Sequence, residues 1–351
     1  MMPGEPTSIL LVADPGAPTA IAERLSRRLG TALTDLATAD DEWDVSVRHH
    51  AYPIDEHAEV ADVVGTIDPG GEPEDIVIYL TDLPRREGTT PVLADISVSG
   101  RLGVISIPCV GGVFIDRRMV KLAQTIVAEV TGQSDKGNPS VKGLTRKQDH
   151  EIVRYVGPRT LSHLRLLAGM VYANRPWRLV TGMSKVIMAA FATGAVSFAY
   201  PTMWQLSDTM GRWRLSSATI LASAALIAWL IIEHELWERP HSADERERAV
   251  LYNASTVVTL LIGVMIFHAA LFLLLLATAW WTLPPQLVAK NIGHPVNFLT
   301  LLVLSWLVAA VSTLGGALGS GMEDDDAVRA AAYGIRQRQR FAQANSRAPD
   351  R

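Results

Sequence analysis

The side chains best equipped for chemistry in this 351-residue chain fall in three short stretches of its first third. The first holds Asp14, Gly16 and Thr19; the second Thr81, Asp82, Arg85, Arg86, Thr89 and Thr90; the third Ser106, Cys109, Gly111 and Gly112. Each follows a short apolar run that reads as a strand: Ile9 to Val12, Ile76 to Leu80, Val104 to Ile107. All three stretches are therefore expected beyond the carboxyl ends of parallel strands, where open α/β sheets hold their ligands. Two of them lead into helices, whose first amide N–H groups favour an anion. Arg85 and Arg86 add forked donors suited to phosphate or carboxylate. The expectation is a pocket for a small anionic ligand made by these residues.

Its ligand is not specified by motif. Neither G-x-G-x-x-G nor G-x-x-x-x-G-K-[ST] occurs in this region. The loop Asp14-Pro-Gly-Ala-Pro-Thr19 resembles the hydroxyl-rich phosphate loop of flavodoxins, but its two prolines carry no N–H and replace much of that donor set. The cofactor is therefore left open, with FMN poorly served. Cys109 lies near a helix start, where amide dipoles can lower a thiol pKa, yet no base is identifiable beside it; it reads as a buried structural cysteine. As the single cysteine, it excludes an internal disulfide and any metal site needing several thiolates. His49, His50, Asp55, Glu56 and His57 cluster, but adjacent residues on a strand end point opposite ways, so a solvated turn is expected and no metal. His234-Glu-Leu-Trp-Glu238 starts like H-E-x-x-H but has Glu in place of the second histidine, and reads as a polar collar.

These loops need a scaffold. Through residue 132, apolar runs with the periodicity of strands, including Val45 to Val47, alternate with helical patterns. Ile21, Leu25, Leu29, Leu33 and Leu36 recur at helical spacing after Pro18 and Thr19; Glu56 to Val64 and Ile115 to Val130 read as further helices. The fold expected for residues 1–132 is a flavodoxin-like or Rossmann-like α/β domain of about four parallel strands in 2-1-3-4 order.

The rest of the chain is of another composition. With 48% hydrophobic and only 19% charged residues overall, and a mean hydropathy of +0.18, part of the chain must be unusually apolar. Four stretches, at 183–203, 215–232, 254–282 and 296–320, approach or exceed the ~20 helical residues that cross a ~30 Å hydrocarbon core. A four-helix transmembrane domain over 180–320 follows. The first thirteen residues hold one apolar run with no basic residue before it, which does not read as a secretory signal. Arginines concentrate before the first span (Arg154, Arg159, Arg165, Arg175, Arg178), between the second and third (Arg239, Arg246, Arg248) and after the fourth (Arg329, Arg336, Arg338, Arg340). The other loops hold Arg212, Arg214 and Lys290. Both termini are thus expected in the cytosol, with the chain in the cell's inner membrane. Tryptophans are placed at the interfaces, Trp204, Trp213, Trp280 and Trp281 outside, Trp177 and Trp237 inside.

Charge divides the front portion further. Residues 1–133 carry 21 acidic and 10 basic side chains, whereas 134–182 carry nine basic and three acidic. Residues 133–157 read as a basic linker. Residues 158–179 read as an amphipathic interfacial helix presenting Leu161, Leu164, Leu167 and Val171, and 321–351 as a solvated cytosolic tail. The net charge of −4 and pI near 6.1 leave no broad basic field for nucleic acid. His268 stands alone in the third span, expected as a neutral imidazole bonded to a neighbouring helix. Gly315 and Gly319 permit close helix packing or homo-oligomers. The function expected is a membrane-anchored cytosolic α/β ligand-binding or regulatory module. The alternatives are a membrane-bound flavin- or nucleotide-dependent oxidoreductase and a small transporter or channel subunit; the absence of paired intramembrane charges weighs against the last.

Overall fold

A computed structural model of the chain describes residues 7–34, 43–52, 58–87, 90–133, 143–149, 151–158, 162–178, 184–240 and 246–320. Thr89, Asp55, Glu56, His57, Leu36, Leu161 and the tail from residue 321 lie outside these residues. The chain divides into two compact units at Asn174.

The first unit is a mixed α/β sheet domain. Its strands are β1 (Thr7–Ala13), β2 (Trp43–His49), β3 (Ile76–Thr81), β4 (Arg86–Glu87), β5 (Thr90–Ser97), β6 (Leu102–Ser106), β7 (Thr145–Asp149) and β8 (Ile152–Val156). Its helices are α1 (Ala17–Thr34), α2 (Val60–Ile67), α3 (Ile107–Val110), α4 (Ile115–Val130) and α5 (Ser162–Asn174). The sheet order is β2-β1-β3-β6-β5-β8-β7, with β4 paired to β5. The four expected strands are present and parallel: β1 pairs with β2 and β3, and β3 with β6.

The sheet then continues beyond them, which corrects the expectation of a four-stranded parallel fold. β5 pairs antiparallel with β6 and β8, and β8 with β7. Thr90–Ser97, expected as a loop, is a fully buried strand; Thr145–Asp149 and Ile152–Val156, expected as linker, form its antiparallel extension. The outermost strand β7, Thr-Arg-Lys-Gln-Asp, is exposed at every position, and its charges blunt the open edge. Arg146 on β7 grips Glu129 of α4 through two bonds of 2.7 and 3.0 Å, which pins that edge to the helix layer.

Alternation along the strands sorts the two faces. Leu10, Val12, Val77, Tyr79, Leu102 and Val104 pack under Val63 and Ile67 of α2. On the opposite face β6 presents Gly103, where a Cβ would stand 2.4 Å from Ile126 of α4, so glycine sets how closely that helix lies. α5 is present where a helix was expected; of the expected stripe Val171 is buried and Leu167 half-buried, but Leu164 stays 60% exposed, and the rest of the buried face is Ser162, Leu166, Gly169, Met170, Ala173 and Asn174. The physical reason is close packing on α3: a Cβ at Gly169 would come within 2.0 Å of the Pro108 carbonyl oxygen.

The second unit begins at Arg175 and holds α6 (Ser184–Ser197), α7 (Pro201–Thr209), α8 (Arg212–Glu233), α9 (Arg246–Thr282), α10 (Pro285–Ile292) and α11 (Phe298–Ser320). α8, α9 and α11 are each long and apolar enough to cross a membrane, and α6 with α7 would make a fourth span despite a 91° bend between them. The straight first span expected over 183–203 is thus broken. Pro201 restarts the helix in a new direction, and Trp204, expected at the outer interface, is buried within the protein with its indole N–H donating to the Phe198 carbonyl at 3.0 Å. At 37 residues α9 is ~55 Å long, so it overshoots the hydrocarbon core, and its N-terminal turns carry Arg246, Glu247 and Arg248. Gly315 of α11 meets Thr193 of α6, where a Cβ would stand 2.6 Å from the hydroxyl oxygen; this glycine serves a contact inside the chain.

Because the atom facing Gly169 is backbone, it cannot swing away. Gly169→Ala is expected to cost about 1–3 kcal/mol, read as a lowered midpoint when the detergent-solubilised full chain is melted. An unchanged midpoint would contradict the close packing of α5 on α3.

Candidate functional site

The carboxyl ends of β1, β3 and β6 bring the three chemistry-bearing stretches together. Asp14, fully buried, accepts hydrogen bonds from Tyr79 Oη at 2.6 Å and Thr81 Oγ1 at 2.7 Å. The Thr81 oxygen in turn accepts the Leu83 amide at 3.2 Å. Thr19 donates through both its amide and its hydroxyl to the Asp14 carbonyl, closing the turn in which Gly16 takes φ 108°. These residues meet as expected, but their polar atoms bond one another.

A second node forms around Asp95 of β5. Its carboxylate, 1% exposed, accepts Arg85 Nε at 2.8 Å on one oxygen and Arg154 Nε at 2.7 Å on the other. Arg85 also donates through Nη2 to the Ala58 carbonyl at 2.7 Å. Ser106 Oγ donates to the Leu83 carbonyl at 2.6 Å, accepts the Arg85 amide at 3.3 Å, and lies 3.2 Å from the Cys109 sulfur. Cys109 donates to the Arg85 carbonyl at 3.0 Å. Arg85, expected to bind a ligand, is buried with Nε and Nη2 bonded to protein acceptors. Arg86 opens the short strand β4 opposite Pro91, and Asp82 is half-buried beside Leu83. Burial pushes the Cys109 thiol up to about 11, against the stabilising bonds from Ser106 and the Arg85 backbone.

The cationic surface lies one loop further on. Gly111, at φ +95°, separates α3 from α4. A Cβ there would stand 3.2 Å from Arg118 Nη1 and 3.8 Å from Arg165 Nε. Two guanidinium groups thus flank the same glycine, one from α4 and one from α5. Arg118 donates to the Val110 carbonyl at 2.8 Å. Arg165 Nε is buried and has no hydrogen-bond partner among the described residues. Burial, and after it the neighbouring Arg118, hold the Arg165 pKa below the ordinary guanidinium value. The nearby carboxylate of Asp116 is taken by Arg24 at 3.0 Å, and Arg24 also reaches Tyr172 Oη of α5 at 3.2 Å. An anion between Arg118 and Arg165 would relieve the like-charge repulsion and supply the missing acceptor.

Tyr79, Asp95, Arg118, Arg154 and Arg165 were not singled out from sequence as site residues. For Arg118 and Arg165 no local signal existed, since they lie on different helices and meet only through the α3–α5 packing. Of the other flagged groups, His50 makes an edge-on contact with Tyr52 at 4.5 Å and His49 lies 3.8 Å from Glu23. His234 is buried at the end of α8, and the chain beyond it is held by Asn253, which bonds the Glu238 amide and carbonyl at 2.9 Å each. His268 Nδ1 lies 3.1 Å from Thr313 Oγ1 of α11. No protein-family model, curated protein or solved structure matches the chain.

Removing the Asp95 carboxylate would strand two cations against a buried strand. Asp95→Ala is expected to lose about 3–5 kcal/mol of stability, measured by denaturant or thermal unfolding of the full chain; a loss below 1 kcal/mol would refute its role as the shared anion. The raised thiol pKa has a separate consequence. Because the folded value exceeds the ordinary 9.0, the stability it contributes is complete below pH 9 and is lost as pH rises through about 11. At neutral pH, a maleimide should label Cys109 only after denaturation, and rapid labelling of native protein would contradict its burial.

Proposed function

We propose that this chain is a membrane-anchored α/β module whose cytosolic head binds a small phosphate- or carboxylate-bearing anion, in a regulatory rather than a catalytic capacity. The observation carrying this reading is the meeting of Arg118 and Arg165 at Gly111 with no carboxylate pairing either of them among the described residues. Like charges brought together at a partly buried point cost stability unless an anion joins them. The three to four apolar helices supply the anchor, and the arginine asymmetry of the loops favours an inner-membrane protein with both termini in the cytosol.

The polar groups at the ends of β1, β3 and β6 support a binding role over catalysis, since Asp14, Arg85, Ser106 and Cys109 each spend their bonds on neighbouring protein atoms. The ligand seat accordingly shifts from the crevice expected around Arg85 and Arg86 to the α3–α4 loop. Gly111 and Gly112 of the expected set stay in it; Arg118 and Arg165 join them.

The test is calorimetric titration of the detergent-solubilised full chain with inorganic phosphate. Arg118→Ala and Arg165→Ala should each weaken binding about tenfold, the scale of a lost charged hydrogen bond, while Arg86→Ala should leave it unchanged. Absence of phosphate binding, or equal affinity in Arg165→Ala, would remove the proposal.

A further inference from the structure

The loop that carries the arginine pair also carries an apolar tip. Val113 is 58% exposed and Phe114 71% exposed, immediately after Gly111 and Gly112. Phe114 adopts φ 53°, a left-handed conformation that a bulky side chain takes at some cost, and it does so while leaving its ring in water. The strain is not repaid by packing. Behind the tip, α4 presents exposed Arg117 and Lys121 along with Arg118, and α5 presents Arg165. The one acidic side chain in the first turn of α4, Asp116, is paired with Arg24. The loop is held rigidly from behind: a Cβ at Gly112 would stand 2.8 Å from the Ala168 carbonyl oxygen of α5. An aromatic and a β-branched side chain projecting from a rigid loop, ringed by cations, is the combination that enters the interface of an anionic bilayer.

We propose that the Gly111–Phe114 tip docks the head onto anionic phospholipid, with Val113 and Phe114 inserted at the interface and Arg117, Arg118, Lys121 and Arg165 on lipid phosphates. This rests on the reading that Arg118 and Arg165 form an anion seat, and it names the lipid headgroup as the anion. Charge complementarity favours lipid as occupant, and helices long and apolar enough to span a membrane would keep a bilayer at hand. The aliphatic stems of the arginines can lie along the acyl boundary while their heads reach phosphate.

The experiment places a nitroxide at Val113→Cys in the full chain, Cys109 being left in place because it is buried. The labelled protein is reconstituted into nanodiscs of phosphatidylcholine alone or of equal parts phosphatidylcholine and phosphatidylglycerol. Power saturation should show the label gaining oxygen accessibility and losing nickel-chelate accessibility in the anionic discs alone, and Phe114→Asp should reduce the docked fraction by about tenfold or more. The unaltered chain gives a second readout: amide exchange across residues 112–115 should slow in anionic discs relative to zwitterionic ones. A label equally wet in both discs, with unchanged exchange, overturns the lipid proposal. Inorganic phosphate titration of the chain that keeps Phe114 separates the two readings. Phosphate binding together with a tip equally wet in both discs removes lipid docking alone, whereas absence of phosphate binding removes the anion seat as well. Protection of the tip that requires an added soluble protein and not anionic lipid would also overturn it.

Discussion

The first unit depends on one buried carboxylate. Asp95 sits in the middle of a strand in which all eight residues are buried, and its two oxygens are divided between Arg85 and Arg154. Arg85 arrives from the loop after β3 and Arg154 from β8, so a single side chain joins the carboxyl end of the parallel strands to the antiparallel extension. Isolated, a carboxylate at that depth would be too costly to keep ionised. With two guanidinium groups it lets a charged residue occupy the interior of a sheet, and it adds a side-chain tie between the register partners Asp95 of β5 and Arg154 of β8. Arg85 in turn positions the backbone that Ser106 and Cys109 bind, so the floor of the α3–α4 loop inherits its geometry from the same pairing.

That pairing also explains what was legible in the sequence and what was not. Of the four parallel strands, β1, β3 and β6 announce themselves as apolar runs, because they are covered on both faces, whereas β2 at the sheet edge interrupts its apolar residues with Asp44, Ser46 and Arg48 and has no fully buried position. β5 does not announce itself. Thr-Pro-Val-Leu-Ala-Asp-Ile-Ser carries a proline, an acid and two hydroxyls, the composition of a loop, and only the distant arginines make the acid tolerable. β7 is hidden for a different reason: an exposed edge strand of charged residues has the composition of a linker, and its pairing with β8 determines that it is a strand; β8 itself, Ile-Val-Arg-Tyr-Val, has a strand's apolar composition that the surrounding basic stretch obscures. In the second unit the apolar helices were plain from length alone, while the bend before Pro201 depends on a local restart that a hydropathy count cannot register.

For the candidate site the division is similar. The places were readable, since ligand loops follow the strand ends in this class of sheet, and Gly111 and Gly112 stood out there. The charges were not. Arg85 looks available in a linear reading because it neighbours Arg86 and threonines, yet its partner lies ten residues on, across a strand pairing. Arg165 looks like one of a series of orientation signals ahead of the spans, yet α5 turns it toward Gly111. Helical periodicity over 158–174 placed the leucines on a common stripe, but small residues decided the buried face, because α5 approaches α3 at backbone distance.

This backbone-level contact gives the loop its mechanical character. Gly169 lies against Pro108 and Gly112 against Ala168, so α3, the loop and α5 meet through main-chain atoms, with few rotamers to absorb a shift. An anion shared by Arg118 and Arg165 would add a tie between α4 and α5 at the point where those contacts leave two like charges together. The net effect of such a tie would be to stiffen the α5 end of the first unit. An anion bound there would consequently be felt in the stability of α5 before the sheet, because the sheet's own nodes at Asp14 and Asp95 already hold internal hydrogen bonds and ion pairs.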